Sequence, residues 1–268
     1  MPADTRSKDA TISTIRTETV TEVTHWTDRL FSFRTTRDPG FRFTSGQFAM
    51  VGLEVDGRNL MRAYSMSSAH HEPELEFFSI KVADGPLTSR LQHLRKGDEI
   101  LMGRKATGTL VQDSLTAGST LFLLATGTGV APFVSIVKDP ETYDRFQRIV
   151  FVHGCRHAAD LAYTDRVLAD LRADEYMGEL ARDRLLYMPT VTREPFATTG
   201  RISTLLQSGQ LPEALGLPPL DPVRDRLMLC GSPAMLQEVT EMLTGRGFAE
   251  GSHSRPGQFV VEKAFVER

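Results

Sequence analysis

The sequence is poor in cysteine, in long apolar runs and in any excess of charge, and each shortage removes a class of protein. Two cysteines in 268 residues, Cys155 and Cys230, cannot supply a four-thiolate iron–sulfur cluster or a cysteine-rich zinc site, so no metal is expected. They stand far apart, each beside a glycine after an apolar run, which suits free thiols in a reducing compartment. No stretch approaches the length of apolar chain that spans a bilayer, so no membrane segment is expected. Met1 to Thr14 is polar and lacks the apolar centre of a signal peptide, which points to a cytoplasmic protein whose residues 1–16 are mobile. A net charge of -3 gives no overall basic field for nucleic acid, so any basic docking patch must be local. Repeats and low-complexity tracts are missing too, and a monomer is the default.

What is there changes character near Asp113 to Ser119. Before that point short alternating segments dominate: Val20 to Trp26, Leu30 to Arg34, Gln47 to Leu53, Glu74 to Val82 and Glu99 to Met102. Turn formers such as Asp38-Pro39-Gly40, Asp56-Gly57 and Lys96-Gly97-Asp98 separate them. Strands so closely spaced predict an antiparallel barrel or sandwich. One helix is predicted within it, Pro86 to Leu94, with Leu87, Leu91 and Leu94 on one face. After Ser119, continuous apolar runs appear at Leu121 to Ala125, Ile149 to Val152, Leu185 to Met188 and Leu227 to Cys230. Helical stretches including Ala158 to Ala173 and Pro233 to Leu243 lie between and after them, and a strand-like run, Gln258 to Val266, closes the chain. Fully apolar strands alternating with helices predict a parallel sheet covered on both faces. The fold class is therefore two-domain: an N-terminal antiparallel β-barrel at 17–112, a linker at 113–118, and an α/β parallel-sheet nucleotide-binding domain at 119–268.

Arg62-Ala63-Tyr64-Ser65 carries an arginine, an aromatic and a hydroxyl at spacings that can meet three parts of one long cofactor. A guanidinium pairs with pyrophosphate in bidentate fashion. Tyr64 shares a strand face with Arg62 and can lie flat on a ring system, and Ser65 can bond a ring heteroatom. The same four residues also suit an ordinary barrel strand with a core tyrosine. Ala125-Thr126-Gly127-Thr128-Gly129-Val130-Ala131-Pro132 leaves an apolar strand and enters a helix, where glycines let backbone N–H groups approach a phosphate. Pro132 holds the place of the third glycine of the dinucleotide fingerprint, and a plain strand-to-helix turn is the other reading. Gly85-Pro86-Leu87-Thr88 opens the barrel helix, as a second phosphate site or as a simple cap. At the end of the second parallel strand Arg156 stands where a ribose-binding acid usually would, with Thr192, Arg193 and Arg201 at the next strand end. Singly these are solvated charges; together they favour NADPH over NADH. Cys230-Gly231-Ser232-Pro233 forms another strand-to-helix turn, and Val261-Glu262-Lys263-Ala264-Phe265 begins the tail.

Taken in this order, the motifs resemble the ferredoxin–NADP(+) reductase family in its bacterial form, from about Thr17 to Arg268. The resemblance implies FAD between barrel and α/β domain, held by Arg62, Ala63, Tyr64 and Ser65, with Phe78, Ser79, Ile80, Lys81, Gly85, Pro86, Leu87 and Thr88 completing its site. It implies NADP(H) on Gly127, Thr128 and Gly129, with Arg156, Thr192, Arg193 and Arg201 on the 2′-phosphate. Thr128 falls near both cofactors. Ser65, Cys230, Glu262 and Ala264 would border the reacting rings, and Phe265 would stack on the FAD adenine. Plastid members end in a tyrosine where Ala264 stands, and the commoner isoleucine after Ser65 is Met66 here. The implied activity is hydride transfer between NADPH and flavin N5, then single-electron transfer to an acidic carrier, ferredoxin or flavodoxin. Arg34, Arg42, Arg95, Lys96, Arg104 and Lys105 are candidates for docking it. Other readings are a reductase component serving an oxygenase and a non-catalytic flavin- or NADP-binding sensor.

Overall fold

A computed structural model describes residues 14–263. Six strands build the N-terminal half: β1 (Ile15–His25), β2 (Leu30–Thr35), β3 (Phe48–Val55), β4 (Arg58–Ser65), β5 (Leu75–Ile80) and β6 (Glu99–Thr107). They pair antiparallel in the order β4-β3-β6-β1-β2-β5. A bridge between Met66 and Phe77, with Ser67 N–H donating to the Glu76 carbonyl at 2.8 Å, closes the sheet into a barrel. Alternation drives this closure. Ala49 and Val51 of β3 and Ile100 and Met102 of β6 turn inward, where they meet the stacked rings of Phe31, Phe33 and Phe77.

The barrel helix is shorter than its sequence predicts. Only α1 (Thr88–Leu91) is α-helical, because His93 and Leu94 already donate three residues back and the turn tightens. Leu87, Leu91 and Leu94 are nonetheless all buried, as their spacing requires.

The second half is a doubly wound sheet. Strands β7 (Thr120–Thr126), β8 (Arg148–Cys155), β9 (Leu185–Val191), β10 (Asp225–Gly231) and β11 (Phe259–Lys263) run parallel in the order β11-β10-β7-β8-β9. The covering helices are α2 (Ala131–Val137), α3 (Pro140–Arg145), α4 (Ala162–Ala173), α5 (Gly178–Arg184), α6 (Ile202–Gln207), α7 (Gln210–Ala214) and α8 (Pro233–Gly245). Successive strand residues serve opposite layers. Leu121, Leu123, Ile149 and Phe151 pack with Phe133, Val134 and Val167 on one face, while Phe122, Leu124, Val150 and Val152 pack with Ile202, Leu205 and Val239 on the other. This is why the strands read as continuous apolar runs.

The two halves share one core. Leu30, Phe78 and Leu110 from the barrel side join the α2–α4 layer. Tyr163 of α4 stacks on Phe78 with centroids 4.2 Å apart and rings 13° from parallel, and meets Trp26 edge-on at 5.4 Å. Polar ties flank the stack: Ser135 Oγ donates to the Ser68 carbonyl at 2.7 Å, Lys138 Nζ lies 3.3 Å from Glu72 Oε1, and His70 Nδ1 lies 2.9 Å from Asp139 Oδ2. Truncating the central ring, Tyr163→Ala, should lower unfolding free energy by about 3–5 kcal/mol in urea titrations. A loss below about 1 kcal/mol would show that the seam does not depend on this ring.

Candidate functional site

In the sheet order β11-β10-β7-β8-β9 the chain reverses direction of winding between β7 and β10, and a crevice opens at their C-terminal ends. The loops leaving these two strands press together. A Cβ on Gly129 would stand 2.6 Å from the Cys230 carbonyl oxygen, so only glycine permits the approach. Thr126 Oγ1 accepts the Ser232 N–H at 2.8 Å, and Ser232 Oγ caps α8. Gly127 has φ 55°, and nothing lies within 4 Å of where its Cβ would be, so its backbone faces open space.

A cleft of about 690 Å³ occupies this crevice. Gly127, Thr128, Arg156, Thr192, Arg193 and Arg201 all line it, so the residues expected to bind the nucleotide come together from three separate loops, those after β7, β8 and β9. The ends of β8 and β9 are zipped by backbone bonds from Thr192 to Cys155 and from Arg193 to Arg156, at 3.1 and 3.0 Å. Among the described residues no carboxylate pairs with Arg156 or Arg193. Arg201 lies 3.7 Å from Glu238, which also accepts from Ser203 Oγ. Gly129 and Cys230 sit beneath the cleft rather than on its wall, both buried.

On the barrel, β4 is hydrogen-bonded to β3 along its length, and its other edge is free until the Met66–Phe77 bridge. Arg62 is exposed, and among the described residues its guanidinium donates only to the Met61 carbonyl, 2.8 Å away. Tyr64 is half-buried, edge-on to Phe77, with its hydroxyl 3.4 Å from Ser79 Oγ, and burial pushes the phenol above its ordinary pKa. Ser65 is half-buried at the strand end, and no protein side chain engages its hydroxyl among the described residues. An unneutralised cation, a fixed aromatic face and an unengaged hydroxyl along one open strand edge fit a flavin dinucleotide. Other residues expected here go elsewhere. Phe78 turns into the seam against Tyr163, and Leu87 is buried in the barrel core. Lys81 Nζ donates to the Thr27 carbonyl at 2.8 Å, and Ile80 lines the nucleotide cleft. Gly85, Pro86 and Thr88 remain at the start of α1, with Thr88 Oγ1 3.5 Å from the Val82 carbonyl.

Cys230 and Glu262 are paired in register across β10 and β11. Burial raises the thiol pKa well above its usual range, so it stays protonated. Glu262 Oε2 accepts the Thr109 N–H at 3.1 Å, and Thr109 Oγ1 donates to the Val261 carbonyl, which stitches β11 to the segment after the barrel. Desolvation pushes the Glu262 carboxyl up to about 7 despite that bond. The roles expected for Ala264 and Phe265 fall outside the described residues, as does most of the stretch expected to be mobile at 1–16. Three contributors were missed in the sequence. Thr109 binds Glu262, Asp160 reaches Arg29 across the cleft at 3.0 Å, and Glu238 faces Arg201; none carries a local motif.

Of the basic candidates for carrier docking, Arg34 is already compensated by Glu76 at 3.3 Å, and Arg42 bonds its own loop. No described helix is long and apolar enough to cross a membrane.

The barrel, residues 15–108, matches the model of an oxidoreductase FAD-binding domain, and residues 123–241 match that of an oxidoreductase NAD-binding domain. Two such modules with a shared seam define an oxidoreductase that uses FAD and a nicotinamide nucleotide. The chain is 59% identical over 249 residues to ferredoxin–NADP reductase A of Sorangium cellulosum (strain So ce56), covering 93% of this chain and 90% of that protein. It is 50% identical over 250 residues to the flavodoxin/ferredoxin–NADP reductase of Rhodobacter capsulatus, covering 93% of each. The solved structure of a ferredoxin NADP+ reductase from Neisseria gonorrhoeae with bound FAD and NADP superposes with a TM-score of 0.85 at 32% identity, covering 94% of this chain and all of that one. The chain belongs to the ferredoxin–NADP reductase family.

The raised Glu262 pKa has a definite sign. An unfolded carboxyl ionises near its ordinary 4.5, whereas the folded one holds its proton up to about 7. The folded state therefore binds more protons between those values, and stability falls as pH rises through that window. Thermal unfolding from pH 4 to 8 should show this slope in the parent and a flatter profile in Glu262→Gln; identical profiles would place the carboxyl in water.

Proposed function

We propose that the chain passes hydride between NADPH and a bound FAD and hands the electrons singly to ferredoxin or flavodoxin, acting as a cytoplasmic monomer. The observation that carries this reading is that Arg29, Leu30 and Ile80 of the barrel line the same cleft as the arginines of the parallel sheet. A nucleotide held by the sheet thus lies against the flavin module. FAD, when bound, supplies the redox chemistry, accepting two electrons as hydride and releasing them one at a time.

The chain's own residues hold and orient. Arg62 neutralises a pyrophosphate from the open edge of β4, and the Tyr64 ring, fixed by Phe77 and Ser79, gives one face for stacking. Ser65 offers its hydroxyl to the reactive edge of the flavin ring. Gly127 and Thr128 present backbone N–H groups to the dinucleotide phosphates. Arg156, Thr192, Arg193 and Arg201 recognise the 2′-phosphate, for which guanidiniums are the matching chemistry, and among the described residues no carboxylate pairs with Arg156 or Arg193. Glu262, beside Cys230, holds a proton on its carboxyl below about pH 7, so on the acid side of neutrality the β10–β11 pair carries little charge. Both thiols are free and buried, in keeping with a reducing compartment.

Purified protein should be yellow, be bleached by NADPH, and reduce a ferredoxin or flavodoxin much faster with NADPH than with NADH. Binding of NADPH without bleaching would make it a sensor instead. The double variant Arg193→Ala/Arg201→Ala should raise KM for NADPH about a hundredfold and that for NADH less than about threefold, since each charge-assisted bond is worth roughly a tenfold change. Equal losses for both nucleotides would refute the clamp.

A further inference from the structure

His153 lies on β8, fully buried, two residues before the end of the strand. Its Nε2 stands 3.0 Å from the Gly127 carbonyl oxygen and 3.2 Å from Cys155 Sγ, and its Nδ1 stands 3.1 Å from Thr164 Oγ1. A carbonyl only accepts, so Nε2 carries the hydrogen. Burial holds the ring neutral, so Nδ1 is the acceptor and the Thr164 hydroxyl donates to it. The tautomer is therefore fixed by two partners on two other elements.

What this bond fixes is the direction of a peptide plane. Gly127 has φ 55° and no side chain to anchor it. In a planar trans peptide the carbonyl of Gly127 and the N–H of Thr128 point in opposite directions. A carbonyl drawn inward to His153 therefore turns the Thr128 N–H outward, toward the cleft that Gly127 and Thr128 line. Thr164 also follows Tyr163, whose ring is stacked on Phe78 of the barrel. One buried chain thus runs from the barrel through the first turn of α4 and His153 to the loop.

We propose that His153, held by Thr164, is a positioning residue that orients the Gly127–Thr128 peptide for the dinucleotide phosphates and sets its place relative to the flavin strand. The inference rests on the nucleotide role given to this cleft. It is tested on FAD-loaded protein with two probes, NADP+, which carries the pyrophosphate, and adenosine 2′-monophosphate, which reaches the arginine clamp without one. His153→Leu should weaken NADP+ about tenfold and leave adenosine 2′-monophosphate within about twofold, because only the former needs the oriented N–H. His153→Gln, which keeps a donor in the place of Nε2, should recover NADP+ affinity to within about threefold. Thr164→Val, which changes little in shape, should weaken NADP+ about threefold without affecting the smaller probe. If His153→Leu does not fold, the Thr164→Val and His153→Gln pair decides by the same ratio. Unchanged NADP+ affinity in the folded variants, or equal loss for both probes, overturns the proposal. A parent protein that binds neither nucleotide would instead refute the functional reading.

Discussion

The placement of β7 between β8 and β10 is the constraint from which the site follows. Because the winding reverses there, the loops after β7 and β10 cannot diverge over opposite faces without leaving a crevice between them. They also meet at its floor, so closely that residue 129 must lack a side chain and Thr126 can bind the Ser232 backbone. Everything else is arranged to either side of that line. The neighbours on one side, β8 and β9, end in arginines. On the other, β10 and β11 end beside the barrel, where Thr109 holds Glu262.

The same constraint explains why the barrel and sheet share a core instead of meeting as two separate surfaces. A cleft at a strand-end crevice is open on top, and here the barrel supplies a wall through Leu30 and Ile80. For that wall to stay in register with the loop after β7, the barrel must be fixed against α2 and α4. Phe78, Leu110 and Tyr163 do this with apolar area, and Ser68–Ser135 and Lys138–Glu72 set the azimuth with directional bonds. Flat ring stacking resists tilting more than sliding, so polar bonds at the periphery complement it.

The parallel strands and the residues at their ends that line the cleft were legible in the sequence because their causes are local. A strand buried on both faces must be continuously apolar, and a residue immediately after such a strand must sit at the crevice, which located Thr128, Arg156 and Arg193 without any structure. Helical spacing likewise set Leu87, Leu91 and Leu94 on one face, and all three are buried. It could not say which partner each face would meet. Phe78 stacks on Tyr163, a residue 85 positions later, and no local pattern encodes that pairing. Arg29 and Asp160 are separated by 131 positions and read individually as ordinary surface charges. The helix expected over Pro86 to Leu94 was overdrawn for a different reason. Its leucine spacing is satisfied by one α-turn followed by tighter turns, so periodicity alone did not fix its length.

Charge along the cleft has a direction. Arg29 is answered by Asp160, and Arg201 by Glu238 across a longer and well-exposed gap, while among the described residues no carboxylate answers Arg156 or Arg193. On β10 and β11, beneath the cleft, burial keeps the Cys230 thiol protonated and pushes the Glu262 carboxyl up to about 7, so the pair carries little charge only below that pH. A 2′-phosphorylated dinucleotide has its own polarity, with an extra phosphate at one end and a ring at the other. Entering in the opposite sense would leave two guanidiniums unmatched. The lost charge-assisted bonds oppose that orientation. In the proposed nucleotide role, the unanswered guanidiniums favour the sense of binding that sets the extra phosphate at the ends of β8 and β9.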